Sequence, residues 1–194
     1  AIIVSPAVMT SRASISDSTT AVLGSGPIGL SVLLAARAAG VRAVYVTDKI
    51  DGRVEVARKA GASWAGNPDR EDVVARMKSL APDGLDVVYV CCGDQSVFSQ
   101  AVDLLKPGGR LLIIGIPAGD RISFDIHALR RKELSLQNVR RQRFCIREAI
   151  DLIKNKQVDA RFMATHRFAL EDARQAFELA AGYRDGVIRA IICP

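Results

Sequence analysis

Aromatic side chains are scarce, 5% of 194 residues, and only two histidines are present. The densest basic piece, Arg140-Arg141-Gln142-Arg143, has no aromatics interleaved with it. It therefore reads as a solvated or anion-facing edge, and no nucleic-acid partner is expected. The four cysteines include no Cys-x-x-Cys spacing, and Cys91 and Cys92 are neighbours on an expected strand, so they point to opposite faces. With His127 and His166 they do not make a self-contained zinc site, and reduced core cysteines are expected instead. An unbroken apolar run of membrane length is also missing. Residues 21–40 come nearest, but Gly24, Gly26, Pro27 and Gly29 interrupt them and Arg37 adds a charge, so no membrane partner is expected. The first twelve residues lack a basic n-region and begin without Met, which reads as a trimmed start and leaves a cytoplasmic location as the default.

What is present is ordinary globular composition: 49% hydrophobic, 25% charged, 15 Gly and 7 Pro, with enough length for one domain and a substantial core. The net charge of +6 arises entirely beyond residue 120, where 15 Lys and Arg outnumber 9 Asp and Glu. A regular alternation of strand and helix signals occupies the first 140 residues. The β-rich run 19–23 ends in Gly24, and a helix over 27–39 follows, opened by Pro27 and closed by Gly40. A strand over 43–47 precedes Asp48, and a charged amphipathic helix over 51–60 stops at Gly61. Next come a weak strand at 63–65, a helix over 71–80, a strand over 85–91 and a helix over 95–105. Lys106-Pro107-Gly108-Gly109 is expected to turn the chain before an apolar strand over 110–116, and 133–139 adds one strand more. This alternation predicts an α/β fold with a doubly wound parallel sheet. A helix over 146–154, a short run at 165–169, a helix over 170–181 and a strand over 187–193 then read as a C-terminal return segment. The expected division is a lead-in over 1–18, the sheet domain over 19–142 and the C-terminal segment over 143–194.

The chemical motif is Gly24-Ser25-Gly26-Pro27-Ile28-Gly29, a G-x-G-x-x-G that follows one strand and opens one helix. Gly24 permits the tight turn, Gly26 lets a pyrophosphate approach the backbone, and Gly29 allows close packing of helix on strand. The phosphate charge then sits at a helix N-terminus. Asp48, 19 residues beyond Gly29 at the end of the second strand, can accept hydrogen bonds from both hydroxyls of an adenosine ribose. A carboxylate there repels a 2′-phosphate, so NAD is favoured over NADP, although Lys49 and Arg53 nearby temper the preference. The bland alternative is a glycine turn with a capping Asp and no ligand.

Other motifs read as structural. Tyr45-x-x-x-Lys49 has the spacing of a tyrosine-lysine catalytic pair, but Tyr45 falls inside the second strand and is expected in the core. His166 has no carboxylate neighbour in sequence, so a structural role is favoured. Trp64, near a short edge strand, reads as a packing anchor. No catalytic residue is assigned.

Five stretches occur in one order: GSGPIG, VTD with Arg53 five positions after Asp48, LDVVYVCCG, LKPGGRLLIIGIP and THRFALEDARQAFE. In these the chain resembles the zinc-dependent medium-chain alcohol dehydrogenases, most of all the sorbitol and polyol dehydrogenases and then the L-threonine 3-dehydrogenases, from residue 19 to the C-terminus. The resemblance implies a Rossmann coenzyme-binding domain in which Pro27 and Ile28 lie by the pyrophosphate and Asp48 and Arg53 hold the adenosine ribose. Ile114, Gly115 and Ile116 would pass beneath the nicotinamide, and Val139, Arg140 and Arg141 would close over the cofactor. It also implies hydride transfer between a secondary alcohol or polyol and NAD, with a zinc ion polarising the alcohol oxygen.

The departures from the family matter as much. Its N-terminal catalytic domain, with a Cys and a Gly-His-Glu that ligate zinc, is absent, and Ser5-Pro6 stands where the family reads Glu-Pro. The chain alone is therefore expected to bind NAD(H) without zinc and without turning over an alcohol, which it would meet only alongside a catalytic domain. A stand-alone nucleotide-sensing module is the second reading. A class I methyltransferase is a third, because a glycine-rich first turn, an acidic second-strand end and a Lys-Pro-Gly-Gly lead-in occur there too. Residues 121–125 (RISFD) form a β-capable segment that would expose an edge, and a homo-oligomer, most simply a two-fold dimer, is expected from it.

Overall fold

Every residue of Thr19–Leu23 is buried, as a strand covered on both faces must be. The computed structural model describes residues 16–117, 119–140 and 145–194. This first strand, β1, pairs in parallel with β2 (Ala43–Thr47) on one side and β4 (Leu85–Val90) on the other. β3 (Trp64–Gly66) extends the sheet beyond β2, while β5 (Leu105–Ile113) and β6 (Ser135–Asn138) extend it beyond β4. The spatial order is β3-β2-β1-β4-β5-β6, parallel throughout. Chain progression reverses between β1 and β4, which opens a crevice at their C-terminal ends.

Alternation along the strands divides the core in two. Val22, Val46, Val87 and Tyr89 pack under α1 (Pro27–Ala38) and α2 (Asp51–Lys59). Ala21, Leu23, Val88 and Val90 pack on the opposite face under α3 (Val73–Leu80) and α4 (Gln95–Leu104). Cys91 joins the first cluster and Cys92 the second, as neighbours on one strand must, and all four cysteines are free. Burial pushes the Cys91 thiol far above its ordinary range. Tyr45 is buried, as expected, and Trp64 packs partly buried on the edge strand β3.

After α5 (Ile126–Arg131) and β6, the C-terminal segment forms α6 (Ile146–Lys154), a 3-10 turn (Arg161–Met163) and β7 (Ala164–Ala169). A second 3-10 turn (Leu170–Asp172), α7 (Ala173–Ala181) and β8 (Arg189–Cys193) complete it, with β7 and β8 paired in parallel as a separate two-stranded sheet. Ala149, Leu152, Val158, Met163 and Ile188 anchor this segment to the α1–α2 core. Leu170 in the second 3-10 turn and Phe177 in α7 remain 61% and 72% exposed, which leaves apolar surface there. Among the described residues no helix is long and apolar enough to cross a membrane.

Several expected boundaries move. Lys106-Pro107-Gly108-Gly109 does not precede β5 but interrupts it: Leu105 pairs with Leu85 and Arg110 with Val87, so the four residues bulge out of one strand. β5 stops at Ile113, and Gly115 already donates to the Val90 carbonyl at 2.9 Å. The tail helix expected over 170–181 begins with its own 3-10 turn.

Residues 121–125 form no strand. Ile122 and Phe124 turn into the α3–α4 core, and the Gln95 side chain takes the place of a neighbouring strand. Its amide donates to the Ser123 carbonyl at 2.8 Å and accepts from the Ser123 N–H at 3.2 Å. Asp125 then caps α5, accepting from the N–H groups of His127 and Ala128 at 2.8 and 3.1 Å.

Candidate functional site at the glycine turn

The turn after β1 enters the switch-point crevice directly. Gly24 adopts φ +99°, and its N–H donates to the Thr47 carbonyl at 2.8 Å, which fixes the exit of β1 to the end of β2. A Cβ at Gly29 would collide with the Gly24 carbonyl oxygen, so the first turn of α1 rests on the glycine turn with room for hydrogen alone. Pro27 occupies the opening of α1, where its missing N–H is harmless. The helix has no side-chain cap and no acidic residue in its first turn, so its positive end is left for an anion.

Asp48 is built into this turn. Its Oδ2 accepts from the Ser25 N–H at 2.7 Å and the Ser25 hydroxyl at 3.2 Å, and Oδ1 accepts from the Ile50 N–H at 3.0 Å. A carboxylate offers about four acceptor positions. One stays open for a ribose hydroxyl, and a second ribose hydroxyl requires exchange with that of Ser25. Asp48 thus ties the glycine turn to the end of β2 through Ser25 and Ile50, while neither α1 nor α2 carries a side-chain cap.

Arg53, expected beside the ribose, lies next to Gly26. Its Nη1 stands 3.5 Å from where a Cβ of Gly26 would be, and its guanidinium carbon sits 4.8 Å from the centroid of the Tyr183 ring. Its buried Nε has no hydrogen-bond partner. Tyr183 carries no motif and was invisible to sequence reasoning. It reaches Arg53 because the turn after α7 holds Tyr183 and Asp185 at φ of +50° and +51°. Tyr183→Ala is expected to weaken nicotinamide dinucleotide binding about two- to fivefold by loosening Arg53, with Tyr183→Phe close to the parent. Isothermal titration with NADH measures both, and an unchanged Tyr183→Ala affinity removes the ring from the site.

At the other end, Ile28, Cys91, Ile114, Gly115, Ile116, Val139 and Arg140 line one cavity of about 480 Å³. Five of these seven are the residues expected beneath a nicotinamide or closing over the cofactor; Ile28 was expected by the pyrophosphate, and Cys91 is the addition. Gly115 has no room for a side chain, since a Cβ would meet the Cys92 carbonyl oxygen and lie 2.7 Å from its nitrogen. Ile116 is 87% exposed at the cavity mouth. Arg141 lies outside the described residues.

His166 has the carboxylate that its sequence neighbourhood lacks: its Nε2 is 3.1 Å from Asp185 Oδ2, and its Nδ1 is 3.0 Å from the Thr165 hydroxyl. The contact ties β7 to the turn carrying Tyr183, on the C-terminal segment. Among the described residues no three His, Cys, Asp or Glu gather into a group able to hold a metal ion.

This fold and glycine turn are those of doubly wound dinucleotide-binding domains. Residues 27–155 match the family model of zinc-binding dehydrogenases, and the chain belongs to that family. It is 28% identical over 178 residues to the sorbitol dehydrogenase of Bacillus subtilis, covering 91% of this chain and 50% of that protein. It is 33% identical over 170 residues to an L-threonine 3-dehydrogenase of Deinococcus deserti, covering 86% of this chain and 49% of that one. A crystal structure of a zinc-binding dehydrogenase from Sinorhizobium meliloti bound to NADP superimposes with a TM-score of 0.84 at 28% identity, over 92% of this chain and 53% of that chain. The chain thus spans about half the length of the curated relatives it matches.

Proposed function

We propose that this chain is the NAD(H)-binding part of an oxidoreductase that transfers hydride between a secondary alcohol or polyol and NAD. The observation that carries the reading is the glycine turn at the β1/β4 switch point, fastened to the carboxylate that ends β2. When bound, the nicotinamide ring supplies the hydride acceptor or donor. Gly26 and the uncapped start of α1 take the pyrophosphate, and Asp48 takes the ribose. Ile28, Ile114 and Val139 wall the apolar cavity, exclude water and orient the ring. The described residues offer no fit for zinc, so no step here runs through a metal ion and no catalytic residue is assigned. The alcohol and its activation belong, in this reading, to the half of the relatives that the chain does not span.

Asp48 favours NAD over NADP, because a second negative charge on the ribose would face its carboxylate. Asp48→Ala is expected to weaken NADH binding roughly tenfold to a hundredfold, as about 1.5–3 kcal/mol of charge-assisted hydrogen bonding is lost, and to narrow the preference over NADPH. Fluorescence titration with both cofactors measures this, and equal affinity of the parent chain for NADH and NADPH rules out the ribose assignment. A cytoplasmic homo-oligomer, most simply a two-fold dimer, completes the reading, with β6, exposed along its length at the end of the sheet, as the edge that pairs. Light scattering over a dilution series decides this, and a stable monomer at micromolar concentration counts against it.

A further inference from the structure

Lys49 immediately follows Asp48, where an ammonium group is the natural receptor for a ribose 2′-phosphate. That ammonium is already engaged. Its Nζ lies 3.0 Å from Asp94 Oδ2, in a contact that crosses from the end of β2, past β1, to the residue that opens α4. Asp94 is not a freely swinging partner. Its Oδ1 caps α4, accepting from the Ser96 N–H at 3.0 Å and the Ser96 hydroxyl at 2.9 Å, which leaves Oδ2 for Lys49. These contacts hold the Asp94 carboxyl at about 2, well below its usual range, so at neutral pH it is charged, as Lys49 is.

The surroundings place this pair at the adenosine end of the crevice. Asp48, Asp94 and Lys49 all act electrostatically on the partly buried Cys92 thiol, and Asp69 acts on Lys49 from the side of β3. The other nearby cation, Arg53, lies beside Gly26 with its guanidinium over the Tyr183 ring. A 2′-phosphate arriving here therefore meets two carboxylates, Asp48 and Asp94, and finds the Lys49 ammonium already paired.

We propose that Asp94 is a specificity-determining residue for the dinucleotide: by binding the Lys49 ammonium it withholds a cation that a 2′-phosphate would use and so turns the site toward NAD. The proposal rests on the reading of the crevice as a nicotinamide dinucleotide site. The ion pair is half exposed, with side chains 56% and 43% accessible, and so contributes little to folding. Its role is to decide where one charge is spent.

Asp94→Asn is the informative variant, because asparagine caps a helix as well as aspartate does and removes only the charge. Thermal melting of the full chain serves as the folding control, with Asp94→Ser as a second uncharged cap. NADPH affinity is expected to rise about three- to tenfold in Asp94→Asn, while NADH affinity stays within about twofold. Adding Lys49→Gln to Asp94→Asn is expected to abolish the gain, since the released ammonium produces it. If Asp94→Asn and Asp94→Ser bind NADH but leave the NADH to NADPH ratio unchanged, the proposal is overturned. A gain that survives Lys49→Gln overturns it too, because Asp94 then acts by direct repulsion. A parent chain that binds neither NADH nor NADPH defeats the dinucleotide reading itself, and this proposal with it, a result separable from the other two.

Discussion

Gly29→Ala is expected to destabilise the chain by at least about 3 kcal/mol, a large share of the roughly 5–15 kcal/mol by which domains are stable. The added methyl points at the Gly24 carbonyl oxygen, a backbone atom held by the neighbouring strand pairing, so relief requires α1 to move as a unit. Such a shift also draws the turn away from Asp48, and NADH binding is expected to fall with stability. Denaturant unfolding followed by circular dichroism measures the effect. Gly52→Ala is the control: nothing lies within 4 Å of a Cβ there, and an alanine in α2 is expected to add about 0.5–1 kcal/mol. A Gly29→Ala chain as stable as its parent would refute the close approach of helix to turn.

The second large effect concerns Phe98. Its side chain is fully buried, and its ring meets Phe124 edge-on at 5.8 Å and 80°. Phe98→Ala is expected to cost about 3–5 kcal/mol by leaving a cavity between α4 and the sheet. Because Phe124 and Ile122 hang from the same cluster, the loss also frees residues 121–125. Hydrogen exchange at the Ser123 amide, which donates to the Gln95 side chain, is expected to speed up in this variant ahead of the strands. Protection at Ser123 equal to that of the parent means that the segment is held by something other than the phenylalanine pair.

How far the sequence could be read depended on the range over which each feature is determined. The β1 turn, its three glycines and the carboxylate ending β2 are local or fixed by strand length, and their positions followed from the residues. The cavity residues were placed by family resemblance, and the structure brings Ile28, Ile114, Gly115, Ile116, Val139 and Arg140 to one wall. The RISFD segment misled because its alternation of apolar and polar residues is that of a strand, while its hydrogen-bond partner is a glutamine side chain 28 residues earlier. Pro107, Gly108 and Gly109 do bend the chain, but whether a bend ends a strand or bulges from it depends on pairing with β4, which no local signal records. Tyr183, Asp94 and the His166–Asp185 contact were missed for the same reason. Each is a pairing of side chains from distant elements.

The place of β1 between β2 and β4 has a consequence for how the chain assembles. One flank of β1 can close as soon as β2 is made, but the other waits through residues 24–84, sixty-one in all, for β4. At the usual speed of synthesis, about 5–20 residues per second, that interval lasts roughly 3–12 s. During it an apolar strand edge and the glycine turn beside it stand open to solvent. Folding should be slow and rich in long-range contacts. In the growing chain, the arrival of β4 is the event that both completes the sheet and creates the crevice.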